Sequence, residues 1–148
     1  MCNRHRCEEF AHQGCKVYAT SRRIETIADF SNESIEKLAL DVTSDESVHN
    51  ALNFILEKEG RIDVVVNNAG VTAPGNSPSN RSGQYSTKFL FEGPLIDQSL
   101  KSVKRLFDTN TFAILRICKV AVPIMAKQQS GTIVNIGSIM GNMLVTLH

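Results

Sequence analysis

Small and polar residues follow a run of β-branched residues near the middle of this chain. Residues 62–66 read Ile-Asp-Val-Val-Val, and residues 67–70 read Asn-Asn-Ala-Gly. Open parallel sheets bind ligands beyond the carboxyl ends of their strands. There Asn68 could bond a neighbouring backbone or a sugar hydroxyl, and Ala69 and Gly70 would let a ligand approach the main chain. The alternative is a tight turn that binds nothing.

Two further polar residues stand where chemistry could occur. Ser138 comes just after a second β-prone run, residues 132–136, at the edge of the sheet where ligands bind. Asn110 lies inside an apolar helical stretch, where asparagine is mildly unfavourable unless it has a role. The alternatives are a strand-end serine and a surface asparagine without function.

The elements that would position these residues alternate between strands and helices. Apolar side chains recur with a 3.6-residue period between Ser44 and Gly60, which suit the two ends of a helix. The predicted order is a helix ending at Gly14, a strand at 16–20, a short helix at 23–30, a strand at 36–41, a helix at 44–60, a strand at 62–66, a helix at 95–129 that Pro123 kinks or divides, and a strand at 132–136. This alternation predicts an α/β fold with a doubly wound parallel sheet.

Composition narrows the class of protein. The chain has 148 residues, about one domain, with 42% hydrophobic and 21% charged residues and a net charge of +1. No block of positive charge indicates binding to nucleic acid. We also see no apolar run of the roughly 18 residues that a transmembrane segment needs. Without a visible secretory signal, we expect a cytoplasmic protein with reduced thiols. Cys2, His5 and Cys7 match no closed zinc pattern, so we predict no metal site.

Residues 72–91 interrupt the pattern of strands and helices. They are rich in Ser, Asn, Gly and Pro and hold too few apolar side chains to form a core. We therefore predict a disordered insertion within a single domain that spans residues 1–148.

Four segments, taken in order, resemble marks of the short-chain dehydrogenase/reductase family. They are Leu-Asp-Val at 40–42, Asn-Asn-Ala-Gly at 67–70, Phe-Asp-Thr-Asn at 107–110, and the last strand with its serine at 131–138. The resemblance implies a Rossmann-type, NAD(P)-binding domain. The sequence around these segments is similar to a fungal branch that includes 1-acyldihydroxyacetone-phosphate reductases.

The resemblance assigns cofactor-binding roles to residues at the ends of two predicted strands. Asp41 and Val42 would meet the adenine ring, unless Asp41 only supports the start of the following helix. Asn68 would hold a ribose. Ala69 and Gly70 would let the cofactor approach the backbone.

The type of cofactor is predicted from the end of the first predicted strand. NAD-specific folds place Asp or Glu there to bind the ribose 2′-hydroxyl, whereas this chain has Ser21 and Arg22. No carboxylate would repel a 2′-phosphate, and Arg22 could pair with it, so we predict NADP in preference to NAD. The alternative is that Arg22 and Arg23 are solvated arginines at the start of a helix.

The same resemblance assigns catalytic roles to Asn110 and Ser138. Asn110 would distort its helix and hold a water in a proton relay. The Ser138 hydroxyl would bond the carbonyl or alcohol oxygen of a small-molecule substrate, for which a lipid-like compound is one candidate. The implied activity is an oxidoreductase that moves a hydride between NADP(H) and a carbonyl or secondary alcohol. Members of the family are often homo-oligomers.

Two family features do not occur in these 148 residues. They are the glycine-rich turn expected upstream of Glu9 and the Tyr-x-x-x-Lys pair expected after Ser138. The resemblance therefore implies a domain truncated at both ends, whose sheet lacks its first strand and everything after the fifth and is split into two pairs of strands. We expect the chain as written to be inactive. The alternative is a non-catalytic fragment or interaction module from a misread or decayed gene.

Overall fold

Strands and helices alternate along the chain, as the sequence predicts. The computed structural model describes residues 4–71 and 99–137. Its elements are α1 (Arg4–His12), β1 (Val17–Ser21), β2 (Ile35–Ala39), α2 (Asp45–Glu59), β3 (Val64–Asn67), α3 (Leu100–Phe107), α4 (Ala113–Gln128) and β4 (Thr132–Asn135). The predicted insertion at 72–91 and Ser138 lie outside the described residues.

The four strands form two separate parallel pairs. β1 pairs with β2, with Ala19 opposite Lys37, and β3 pairs with β4, with Asn67 opposite Asn135. In the part of the chain that the structure describes, no strand is hydrogen-bonded between β1 and β3. The predicted division of the sheet is confirmed, so contacts other than a continuous ladder must hold the two pairs together.

Helix α2 begins and ends where the sequence predicts. Ser44 accepts a hydrogen bond on its side-chain oxygen from the Ser47 N–H at 3.2 Å. Asp45 and Glu46 place negative charge in the first turn, where the helix dipole favours it. Gly60 ends the helix with φ of 73°, a left-handed conformation that costs glycine little.

The prediction of a helix over residues 23–30 is wrong. The structure has a single 3₁₀ turn at Ile24–Thr26, after which Ile27 is extended and buried. The Thr26 hydroxyl donates to the Arg23 carbonyl at 2.7 Å. This bond from side chain to backbone, together with burial of the following isoleucine, favours a turn over a continuing helix.

A π-helical turn divides the predicted helix over residues 95–129. α3 ends at Phe107, the turn covers Asp108–Phe112, and α4 continues to Gln128. Pro123 lies exposed within α4 and does not end it. The regular helical bonding is therefore broken at the π-helical turn and not at Pro123, where the sequence predicts a break.

Two hydrophobic clusters hold these elements together. The larger joins α2 with α4, and its buried members are Val48, Leu52, Ile62, Ile117, Ala121 and Met125. The smaller lies where α1 packs on β1 and β2, and it contains Cys7, Ala11, Ala19, Ile27 and Ile35. Since α2 leads from β2 to β3 and packs on α4, the larger cluster connects the two pairs of strands.

One helical stretch is long and apolar enough to be compared with a membrane span. Residues Leu100–Gln128 form 29 helical residues with a mean hydropathy of 1.3 in one window, a feature that a search for an uninterrupted apolar run misses. Core helices of folded domains meet the same criterion. On this stretch Ala113, Ile117, Ala121 and Met125 are buried in the protein, so part of its apolar surface is used in packing.

We predict that Ala121→Leu lowers the free energy of unfolding by about 1–3 kcal/mol. Ala121 is 0% exposed within the larger cluster, so the added carbon atoms must displace packed neighbours. Ala126→Leu makes the same change at an exposed position of α4 and should alter stability by no more than about 0.5 kcal/mol. Urea unfolding followed by circular dichroism measures both variants. Equal losses from the two substitutions would contradict this packing.

Candidate functional site

The π-helical turn at Asp108–Phe112 carries Asn110 at its centre. The Ala113 N–H closes the turn by donating to the Asp108 carbonyl five residues back. Such turns are rare and occur mostly as single interruptions of α-helices, frequently at functional sites. The helix is therefore distorted at the asparagine for which the family resemblance implies a distortion.

The Asn110 side chain is bonded in both directions to the main chain of Val71. Its Oδ1 accepts a hydrogen bond from the Val71 N–H at 2.8 Å, and its Nδ2 donates to the Val71 carbonyl at 2.8 Å. This pair fixes the π-helical turn against the segment that follows β3. An asparagine amide has a second N–H and further lone pairs, which leave it capacity for one more partner.

Asn67 and Asn135 form a second amide contact, across the strands. They lie opposite one another at the ends of β3 and β4, and Asn67 Nδ2 donates to Asn135 Oδ1 at 2.8 Å. Asn67 is 7% exposed, and its buried Oδ1 has no hydrogen-bond partner within residues 4–71 and 99–137. Sequence reasoning chose Asn68 and missed this pair, because Asn67 follows the predicted strand 62–66 whereas Asn135 lies within the predicted strand 132–136; only the observed register places them opposite one another.

Residues 68–70 follow β3 at the rim of the site. The Asn68 Oδ1 accepts a hydrogen bond from the Arg6 guanidinium, so α1 reaches the end of β3. Ala69 and Gly70 are exposed, and a Cβ added to Gly70 would lie 3.7 Å from Asn110 Oδ1. The main chain at these two small residues is therefore accessible to a ligand.

Asp41 holds the turn that connects β2 to α2. Its Oδ1 accepts hydrogen bonds from the Thr43 hydroxyl at 2.7 Å and the Thr43 N–H at 3.0 Å, and its own N–H donates to the Ser47 hydroxyl at 2.9 Å. The bond from the threonine hydroxyl is the largest cause of a lowered pKa at the Asp41 carboxyl. The charges of Arg22 and Arg116 lower that pKa further. Asp41 is thus an ionised carboxylate that shapes this loop.

Val42 and Arg22, two other residues predicted to bind the cofactor, differ in exposure. Val42 is half-buried and packs on the cluster that joins α2 and α4. Arg22 follows β1, is exposed, and forms no hydrogen bond or ion pair with any residue that the structure describes. Its guanidinium interacts with the Asp41 carboxylate through charge alone, so its hydrogen-bond donors remain available to an anion.

The predicted site residues follow the carboxyl ends of the strands. Arg22 follows β1, Asp41 follows β2, and residues 68–70 follow β3. At the end of β4 the Ile136 N–H donates to the Asn67 carbonyl at 2.9 Å, and the described chain ends one residue later. The predicted catalytic serine comes directly after that point, outside the described residues.

The residues present fit the adenosine part of a dinucleotide better than they fit its pyrophosphate. Accessible main chain at Ala69 and Gly70 and an exposed arginine after β1 suit a nucleotide that carries phosphate groups. At the start of α1, residues 4–6 read Arg-His-Arg, and Arg6 is bonded to Asn68. These residues therefore offer no glycine backbone to hold a pyrophosphate.

Comparison with known proteins connects this geometry to a family. The profile of the short chain dehydrogenase family matches residues 4–147. The chain belongs to this family. A solved short-chain dehydrogenase from Streptomyces avermitilis is 28% identical and has a TM-score of 0.74. The match covers 93% of this chain and 45% of the Streptomyces chain. ElxO, solved with NADP bound, is 30% identical and has a TM-score of 0.73. The match covers 92% of this chain and 50% of the ElxO chain.

Curated relatives extend the comparison. The 3-ketodihydrosphingosine reductase of Bacteroides thetaiotaomicron is 33% identical over an alignment of 136 residues, and the alignment covers 90% of this chain and 41% of the relative. Retinol dehydrogenase 8 of Bos taurus is 36% identical, also over an alignment of 136 residues, and this alignment covers 87% of this chain and 37% of the relative. This short-chain dehydrogenase chain thus spans less than half the length of these two relatives. The resemblance to one fungal branch stays a prediction.

We predict that Thr43→Val raises the pKa of the Asp41 carboxyl, because it removes a hydroxyl donor to the carboxylate. The folded-state pKa of Asp41 lies below its unfolded value, so the bonded carboxylate stabilises the folded chain above about pH 4. This contribution is lost as the pH falls through the folded pKa. In Thr43→Val the dependence of stability on pH in that acid range should therefore become flatter.

Carbon-13 NMR titration of the Asp41 carboxyl measures this change. Thr132→Val, at an exposed position of β4, is the matched control and should leave the pKa of Asp41 as it is. An unchanged pKa in Thr43→Val would show that the hydroxyl is not the main cause of the shift.

Proposed function

We propose that this chain is part of an NADP-dependent oxidoreductase that transfers a hydride between nicotinamide and a carbonyl or secondary alcohol. The observation that carries the proposal is the π-helical turn at Asp108–Phe112, which sets the Asn110 amide against the main chain after β3. Membership of the short-chain dehydrogenase family supports the class of reaction.

Arg22 supports NADP over NAD in this proposal. It stands after β1, where an NAD-specific fold has a carboxylate, and it is exposed. A guanidinium pairs well with a phosphate through charge-assisted hydrogen bonds. ElxO, a structural neighbour, binds NADP, which supports a nucleotide of this kind.

In this reaction the chain's own residues bind the cofactor and orient a water molecule and the substrate oxygen. When bound, the nicotinamide supplies or takes up the hydride. Asn110 uses the capacity that remains beyond its Val71 contacts to hold a water in the proton relay. The Ser138 hydroxyl bonds the substrate oxygen, and Asp41 and Val42 support the adenine.

We further propose that the polypeptide of residues 1–148 does not turn over substrate on its own. The family's Tyr-x-x-x-Lys pair does not occur in it, and a positioned acid or base contributes roughly 10²–10⁴-fold to a rate. Tyr18 is no substitute, because its hydroxyl donates to Glu59 at 2.5 Å. Burial and this bond raise the pKa of Tyr18, the opposite of what proton transfer near neutral pH requires.

The substrate that we propose is a small, lipid-like carbonyl compound or alcohol. Two relatives are named for 3-ketodihydrosphingosine and for retinol, both lipid-like molecules. We also propose a cytoplasmic location, with access to a membrane surface if the substrate resides there, and assembly into homo-oligomers.

Arg22→Ala should weaken binding of adenosine 2′,5′-bisphosphate about 10- to 100-fold, since a hydrogen bond to a charged group contributes about 1.5–3 kcal/mol. Binding of adenosine 5′-monophosphate, which lacks the 2′-phosphate, should stay nearly unchanged. NMR chemical-shift titration of the 148-residue chain measures both affinities without requiring turnover.

Arg23→Ala is the matched control, because Arg23 is the next residue, is also exposed, and carries the same charge. It should weaken the two nucleotides about equally and only slightly. Equal losses for both nucleotides in Arg22→Ala, or no preference for the bisphosphate in the unaltered chain, would overturn the NADP assignment.

A further inference from the structure

Arg116 of α4 contacts three acceptors where α2 meets the π-helical turn. Its Nη2 lies 2.5 Å from Asp108 Oδ1, and its Nη1 lies 3.3 Å from the Asp108 carbonyl oxygen. Its Nε lies 2.9 Å from Asp45 Oδ1, in the first turn of α2. The Arg116 side chain is 23% exposed, and its partners Asp108 and Asp45 are 36% and 81% exposed, so the pair with Asp108 is the better shielded from water of the two.

Asp108 is the residue at which the π-helical turn begins. Its carbonyl oxygen accepts two hydrogen bonds, one from the Ala113 N–H that closes the turn and one from Arg116. Its carboxylate is bonded to the same guanidinium. π-helical geometry is rarer than α-helical geometry, so two added bonds at the first residue of the turn favour it over a regular helix.

The direction of the Asn110 side chain depends on this turn. α4 is fixed in the core by Ile117 and Ala121, so loss of the extra residue in the turn would rotate the residues before it about the helix axis by about 100°. Asn110 would then no longer face Val71. The contact of Arg116 with Asp108 thus acts on Asn110 through the backbone of the turn.

We propose that Arg116 is a positioning residue for Asn110, which it holds against Val71 by binding both the carbonyl and the carboxylate of Asp108. This inference rests on the proposed function only in that Asn110 serves the oxidoreductase reaction. Through Asp45, the same guanidinium connects the turn to the start of α2, the helix that leads out of the β1–β2 pair.

Arginine suits this position better than lysine. The planar guanidinium presents donors in several fixed directions, and here three of its nitrogens face three different oxygen atoms. A lysine ammonium carries the same charge but no fork of donors. We therefore expect Arg116→Lys to hold Asn110 against Val71 less firmly than arginine does, but more firmly than a side chain without donors.

Amide hydrogen exchange of Val71 tests the proposal, because the Val71 N–H is donated to Asn110 Oδ1. Arg116→Met, which keeps an unbranched side chain without donors, should speed exchange at Val71 about tenfold. Exchange at Ile117, in the core of α4, reports global opening and should change much less. Arg116→Lys should give an intermediate rate at Val71.

Lys119→Met is the matched control, because it removes a positive charge from an exposed position on the same helix. It should leave exchange at Val71 within about twofold of the unaltered chain. If Arg116→Met prevents folding, Asp108→Asn provides the milder variant, since it weakens the ion pair but keeps the carbonyl contact; it should speed Val71 exchange in the same direction.

Two results would overturn the proposal. One is unchanged Val71 exchange in both Arg116→Met and Asp108→Asn, and the other is acceleration of Val71 and Ile117 by the same factor. The experiment needs no nucleotide. If Arg22 gives no preference for the 2′-phosphate, the proposed function fails and the role of Arg116 is unaffected. If Val71 exchange does not respond to Arg116, the role of Arg116 fails and the proposed function is unaffected.

Discussion

The two-way hydrogen bond between the Asn110 side chain and the Val71 main chain is the contact on which the site depends. It joins an interrupted helix to the segment after β3, two parts of the chain that are 39 residues apart. One amide group satisfies both the donor and the acceptor of a loop residue, so helix and loop hold one another in place. The π-helical turn and the loop at Val71 are therefore coupled through this one side chain.

The division of the sheet places further demands on such contacts. With β1 paired only to β2 and β3 only to β4 among the described strands, no ladder of backbone bonds connects the two halves. The connection comes instead from packing of α2 on α4, from the bond between Arg6 and Asn68, and from the ion pair of Arg116 with Asp45. Two of these contacts involve arginines that bond groups beside the predicted site. The stability of the fold and the geometry of the site are thus coupled.

Much of this arrangement could be predicted from local sequence. Ser44 and Gly60 determine the ends of α2 through capping and φ preference, and the small residues after β3 mark accessible main chain. The turn at residues 24–26 could not be predicted, because burial of Ile27 opposes the local helical pattern. Asn67 and Arg116 were missed for a related reason: their partners, Asn135 and Asp108, are identified by strand register and by a break in helical phase rather than by a motif.

Scalar coupling across hydrogen bonds, measured by NMR, tests the central contact most directly. The account predicts two couplings in the unaltered chain: one between the Asn110 side-chain carbonyl carbon and the Val71 nitrogen, and one between the Val71 carbonyl carbon and Asn110 Nδ2. The Asn110 Nδ2 proton donated to Val71 should also exchange more slowly than that of a free asparagine. Absence of both couplings, with Asn110 side-chain protons exchanging at the free rate, would contradict it.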